Sequence, residues 1–355
     1  MFKLRFCILL LIIFLCGCTK NQEEVETIQF STWGSASEIA ILKPIIADFE
    51  KQNKKIKIEL MHIPQNYFQK IHLLFASNLA PDVIFINNLN LPIYANLLEP
   101  LSIDKQNYYQ QSIDALSYKN NLYAIPRDIS NLVIFYNKDL FDSANIKYPK
   151  QDWNINELLT IAQKLTTKLV YGISYEEDMY YVLPYTIALN DKIYPLEELE
   201  NSIGLKFYNN LVKKYKVAPS KSDVGSKTVA QMFLEGKIAM HLSGRWLVPK
   251  YTESATFNWG IINFPSPVPC DASGWAISKQ SKYKESAKKF VDFLSNEENI
   301  EKMIKSGLIV PARTDVAFSD DIFKKVARES ITINITPKYT KIIDKLNDTV
   351  FINNP

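Results

Sequence analysis

An α/β fold of the doubly wound kind is what this sequence predicts. Three observations carry the prediction. Strand-period and helix-period stretches alternate through the first hundred residues of the ordered chain. One of the strands, 82–87, is almost continuously apolar, as a strand buried on both faces of a parallel sheet must be. The helices keep their apolar residues on one face, ready to cover such a sheet.

Order is expected from residue 27. Residues 27–31 alternate apolar and polar, the period of a strand. Ser35 and Glu38 have capping-box spacing, and Ile39, Leu42, Ile45, Ile46 and Phe49 then mark one face of a helix. Pro44 lies inside that pattern and predicts a kink or a local break. A second strand is expected over 55–62, a helix over 67–77 with Ile71, Leu74 and Phe75 inward, the buried strand over 82–87, and a short helix over 91–97. Residues 123–137 then hold two extended pieces around Pro126. Asn156 is read as the cap of a helix running to about residue 167. Helices are expected over 196–215 and 228–235, and strands over 239–242 and 259–264. Pro265, Pro267 and Pro269 forbid helix and predict an extended connection. A helix over 283–294 turns Ala287, Phe290, Val291 and Leu294 inward. Ser295 and Glu298 repeat the capping-box spacing before another helix, which Gly307 stops. The last helix is expected over 338–347.

Composition narrows the function. The 355 residues are 47% hydrophobic and 22% charged, with a net charge of +3. That balance fits a globular core and leaves no basic block for nucleic acid. His62, His72 and His241 stand far apart and form no HExxH, so neither metal nor cofactor is expected. There is no Gly-x-Ser-x-Gly elbow and no P-loop. A pair of carboxylates meeting in a cleft as a glycosidase stays open.

The N-terminus places the protein. Lys3 and Arg5 precede an apolar run over 6–15, shorter than the roughly 20 residues of a membrane-spanning helix. Leu15-Cys16-Gly17-Cys18 follows and resembles a bacterial lipobox, with Cys16 where Ala or Ser is commoner. The resemblance implies a signal peptide over 1–17, a lipid on Cys18, and a polar tether over 18–27 in the cell envelope, facing the periplasm or the exterior. Cys7 and Cys16 are then removed and Cys18 is acylated. Cys270 is left alone, and no intramolecular disulfide is expected.

Six strings in order carry a wider resemblance: Phe30-Ser31-Thr32-Trp33-Gly34, Pro81-Asp82-Val83-Ile84 with Leu97-Leu98-Glu99-Pro100-Leu101, Tyr123-Ala124-Ile125-Pro126 leading to Tyr136-Asn137-Lys138-Asp139-Leu140-Phe141, Phe233-Leu234-Glu235-Gly236-Lys237-Ile238-Ala239-Met240, Gly244-Arg245-Trp246, and Val310-Pro311-Ala312-Arg313. Together they resemble family 1 of the bacterial extracellular solute-binding proteins, the sugar-binding lipoproteins of ABC importers. The resemblance implies a two-lobed periplasmic-binding-protein-like fold with a ligand cleft and three crossovers. Lobe 1 would be 28–129 plus 267–309, and lobe 2 would be 130–266 plus 310–355. It implies a monomer that binds a carbohydrate, or a related polyol or glycerol phosphate, and docks on the permease. It implies no enzymatic activity.

Ligands of open α/β sheets sit beyond the carboxyl ends of the strands. That rule points to Trp33, Ser35, Asn87, Asn88, Asp128, Ser130, Trp246, Gly274 and Trp275, and the resemblance adds Asp178 and Tyr180. Aromatic rings suit the C–H face of a sugar, and Asn, Asp and Ser suit its hydroxyls. Gly274 would let backbone approach the ligand. Trp153 and Trp259 are read as structural, and Arg245 and Arg313 as salt-bridged. Asn190-Asp191 departs from the Gly-Gly common in the family. An alternative is a ferric-ion binder using the adjacent Tyr180 and Tyr181. Another is a lipid-anchored glycosidase.

Overall fold

A computed structural model of the chain describes residues 25–34, 36–130, 132–189, 196–307, 309–333 and 335–352. Cys18, Ser35 and the Asn190-Asp191 pair lie outside these residues, as does the side chain of Ser130.

The strands in chain order are β1 (Glu26–Thr32), β2 (Ile56–His62), β3 (Val83–Asn87), β4 (Ser117–Tyr118), β5 (Asn121–Leu122), β6 (Ile125–Ser130), β7 (Leu132–Asn137), β8 (Met240–Gly244), β9 (Trp259–Asn263) and β10 (Asp271–Ile277). They build two main sheets and a small β4–β5 hairpin. The first sheet has the order β2-β1-β3-β10-β6 and the second the order β8-β7-β9. β1, β2 and β3 run parallel, whereas β10 is antiparallel to both β3 and β6. The fold is the two-lobed, periplasmic-binding-protein-like α/β architecture. The chain passes from one sheet to the other between β6 and β7 and returns through the prolines between β9 and β10. After the helix Glu297–Lys305, residues 310–312 lie along β6: Ile129 donates to Val310 and Ala312 to Arg127.

The helices pack as their apolar faces demand. Ala287, Phe290, Val291 and Leu294 of the helix Lys284–Leu294 are all buried, and Phe290 meets Phe30 and Phe49 edge to face at 5.3 and 5.0 Å. β3 is buried except at Asn87. In the second lobe all six residues of β7 are buried between its neighbours. Trp153 is buried and donates to the Asn263 carbonyl at 2.9 Å, while Trp259 packs on Phe135, so both are structural. Cys270 is a buried free thiol whose pKa burial pushes up to about 12. No helix among the described residues is long and apolar enough to cross a membrane.

Four local expectations change. The helix Ala36–Gln52 continues through Pro44 without the local break that was one of the two expected outcomes, because packing of Leu42, Ile45 and Phe49 outweighs one lost hydrogen bond. The cap of the helix Ile155–Leu165 is Asn154, not Asn156; it forms a reciprocal capping box with Glu157. Asn296, not Ser295, caps the helix Glu297–Lys305, since its side chain accepts from Asn299. The stretch 196–215 divides at Ser202, which ends a 3-10 turn and caps the helix Ile203–Lys213.

β10 has the largest consequence. Residues 271–277, for which the sequence predicts no element, form a central strand of the first sheet. Its Asp-Ala-Ser-Gly start has little strand character by composition. Pairing on both edges holds it there.

Candidate functional site

The sheets present matching edges to each other. Asp271, the first residue of β10, pairs with Ser130, the last of β6. Because β10 runs antiparallel, its amino end lies at the carboxyl ends of the parallel strands, beside the loop 88–90 that follows β3. In the other lobe Gly244, the last residue of β8, pairs with Leu132, the first of β7. The helix Met179–Ala188 starts at the same edge.

A cavity of about 340 Å³ lies between these edges. Leu89, Asn90 and Asp271 line it from the first lobe. Asp178, Tyr180, Tyr181 and Trp246 line it from the second, together with Tyr339, Ile343, Asp344 and Asn347 of the C-terminal helix Tyr339–Asn347. The volume falls within the range of about 300–1,000 Å³ usual for small-ligand sites.

Local chemistry fixes these groups. Asp178 caps the helix Met179–Ala188, accepting from the Tyr180 amide at 2.9 Å. Asn347 accepts from the Met179 amide at 2.8 Å, tying the C-terminal helix to that end of the cleft. Tyr180 and Tyr181 meet edge to face at 5.7 Å. Burial raises both phenol pKa values, helped at Tyr180 by the Asp271 carboxyl and at Tyr181 by Glu176 and Asp178. The Tyr180 hydroxyl is buried without a hydrogen-bond partner. Burial, and then the nearby Asp128 carboxyl, push the Asp271 pKa up to about 7. Trp246 is 37% exposed, a large apolar ring left open to solvent. It lies over Gly244, where a Cβ would come within 1.9 Å of the indole. Arg245 is turned away, paired with Asp320 at 3.1 Å and stacked on Phe318 and Phe323.

The cavity thus gathers Asp178, Tyr180 and Trp246 among the residues expected from sequence. The others have different surroundings. Trp33 is half-buried and packs edge to face on Tyr67, Phe68 and Phe85. Asn87 accepts from Asn90, and Asn88 is buried, bonded to Cys270 and Ala272, so both brace the loop after β3. Asp128 is buried in an ion pair with Arg127 and accepts from Ser273. Arg127 also pairs with Glu38 at 2.5 Å and stacks over Phe85 at 4.3 Å. Trp275 is fully buried against Phe30 and Phe85 and belongs to the core of lobe 1. Gly274 serves the sheet, since a Cβ there would lie 2.1 Å from the Ile125 carbonyl oxygen of β6. Arg313 pairs with Asp315 at 2.6 Å.

Among the described residues, no group of three or more His, Cys, Asp or Glu side chains is arranged to hold a metal ion. Leu89, Asn90, Asp271, Tyr339, Ile343, Asp344 and Asn347 are lining residues that the sequence did not suggest. Asp271 was within reach, as the polar residue ending the proline-rich return.

Residues 33–301 match the family described as bacterial extracellular solute-binding protein. The chain belongs to that family. Among its relatives, the galactooligosaccharide-binding protein of Bacillus subtilis is 22% identical, over 84% of this chain and 76% of that protein. An ABC substrate-binding protein from Listeria monocytogenes, solved in complex with cycloalternan, superposes with a TM-score of 0.81 at 27% identity, covering 92% of each chain. The GacH receptor of Streptomyces glaucescens, solved unliganded and in complex with acarbose and an acarbose homologue, gives 0.81 at 21% identity, again over 92% of each chain. In this solute-binding protein the cavity between the lobes is therefore the candidate ligand site.

Proposed function

We propose that this protein is the lipid-anchored substrate-binding component of an ABC importer and that it captures a carbohydrate between its lobes. One observation carries the reading: the interlobe cavity combines four aromatic side chains with carboxylates and carboxamides. Tyr180, Tyr181, Trp246 and Tyr339 offer rings to the apolar face of a pyranose, and Asn90, Asn347 and the aspartates offer partners to its hydroxyls. A relative named for galactooligosaccharide binding and a similar structure solved with cycloalternan support the same ligand class.

The lobes are 28–129 plus 267–309 and 130–266 plus 310–355. Ligand contacts both only when they close, so binding favours the closed form, which docks on the permease. Cys18 carries the lipid, and the polar stretch behind it tethers the monomer at the membrane. The protein works outside the cytoplasm and catalyses nothing. A thermal-shift screen of mono- and oligosaccharides, polyols and glycerol phosphates tests the ligand class: at least one saccharide should raise the unfolding midpoint, and a flat response to all of them contradicts the reading. Release of Cys18→Ser into the medium, still able to bind, tests the anchor.

A glycosidase draws on one observation, the Asp271 carboxyl held near neutrality as a general acid is. Turnover of a chromogenic glycoside that stops in Asp271→Asn would favour it.

A further inference from the structure

The lining of the cleft is one-sided in charge. It holds the carboxyl groups of Asp178, Asp271 and Asp344, and no Lys, Arg or His among its described residues. Arginines on neighbouring segments are committed elsewhere, Arg127 to Glu38 and Asp128, and Arg245 to Asp320. The Asp271 carboxyl forms no salt bridge and no side-chain hydrogen bond among the described residues. It lies close enough to Tyr180 and Tyr181 to raise both phenols. The Tyr180 hydroxyl there is buried and unpartnered. Asp344 stands at the mouth, on the helix whose Asn347 is bonded to the start of Asp178's helix.

From this combination we infer that the carbohydrate carries an ammonium group, seated at Asp271 and the Tyr180 hydroxyl; the inference rests on the carbohydrate reading above. An amine-bearing sugar brings the charge that the cleft lacks. Closing over a neutral sugar would leave Asp271 with hydroxyl partners only, at a desolvation cost to its charged form. An ammonium pairs with the carboxylate, donates to the phenol oxygen, and is attracted to the faces of Trp246 and Tyr181. The same charge argues against a phosphorylated ligand, for which the lining supplies no cation.

The test is calorimetric titration of the mature protein with fully deacetylated chitosan oligosaccharides, their N-acetylated counterparts, cellobiose and maltose oligomers, glycerol phosphate, choline and spermidine, each at low and high salt. The amine-bearing oligosaccharides should bind about tenfold or more tightly than the acetylated or neutral ones, with the advantage shrinking as salt screens it. Asp271→Asn, close to isosteric, should bring the affinity ratio of amine-bearing to N-acetylated oligosaccharides close to one and remove its salt dependence. Neutral or acetylated sugars binding as tightly, with no salt effect, overturn the charge inference and leave the carbohydrate reading standing. Tight binding of glycerol phosphate overturns the charge inference directly. Binding of choline or spermidine but of no saccharide overturns the carbohydrate reading and keeps the charge. Binding of none overturns both.

Discussion

Asp271 and Asp128 lie on adjacent strands of one sheet, and burial raises the pKa of both, but they differ in their partners. Asp128 is buried beside Arg127 and Ser273, which offset part of the cost of its burial. Asp271 has no such partner, and burial with Asp128 nearby pushes its pKa up to about 7. A carboxyl whose folded pKa lies above its unfolded value of about 3.9 binds its proton more readily in the native state. Its stabilising contribution is full below the unfolded pKa and is lost as pH rises through about 7. Asp271→Asn should therefore flatten the fall in unfolding midpoint between mildly acidic and neutral pH, read by thermal denaturation of both proteins across that range. An unchanged pH profile contradicts the placement of this carboxyl. At this scale sequence reasoning worked where a residue's role follows from its place on an element. Trp246, just past a strand end, lines the cleft, as do Asp178 and Tyr180, to which the family resemblance pointed. It failed where side chains of one type serve core and site alike, as with Trp275, because burial is set by neighbours far away in the chain.

Among the elements, β10 decides the most. Its pairing with β3 and β6 puts Trp275 in the core of lobe 1 and Asp271 at the cleft edge, two outcomes separated by four residues of one strand. Trp275→Ala should destabilise the protein by about 3–5 kcal/mol, the range for emptying a buried aromatic site. The effect should appear in the denaturation midpoint, while any folded fraction keeps its ligand affinity. Near-native stability would contradict the central placement of β10. The strands β1, β2 and β3 were legible because their alternation or continuous apolarity is local. β10 was not, since prolines, a glycine and an aspartate at its start outweigh its apolar end in any local reading. Where a helix was expected its start was legible to within two residues, except in the stretch 196–215, and the helices Gln110–Ala115, Lys138–Ser143, Val248–Ser254 and Asp321–Glu329 were not foreseen. Asn154 and Asn156 are both good caps, and the choice turns on whether Glu157 can reach back.

The whole molecule is a pair of lobes joined by extended segments, and the function proposed for it rests on their relative motion. The six ordered strings indicated that architecture, and the fold agrees with it. The cleft was only partly legible, because a site between lobes draws single residues from distant segments: Asn90, Asp271 and Asn347 are far apart in sequence and share no motif. Small-angle scattering should show a lower radius of gyration when a binding saccharide is added; an unchanged radius with bound ligand would contradict closure. The central claim, that carbohydrate is held in this cavity, is tested most directly by calorimetric titration of the tightest saccharide from the screen into wild type and Trp246→Ala. Trp246 is exposed enough that its loss should leave the unfolding midpoint unchanged. The expected result is affinity weakened about tenfold or more, as for loss of a ring that stacks on its ligand. Equal affinity in the two proteins would place the ligand somewhere else and contradict the claim.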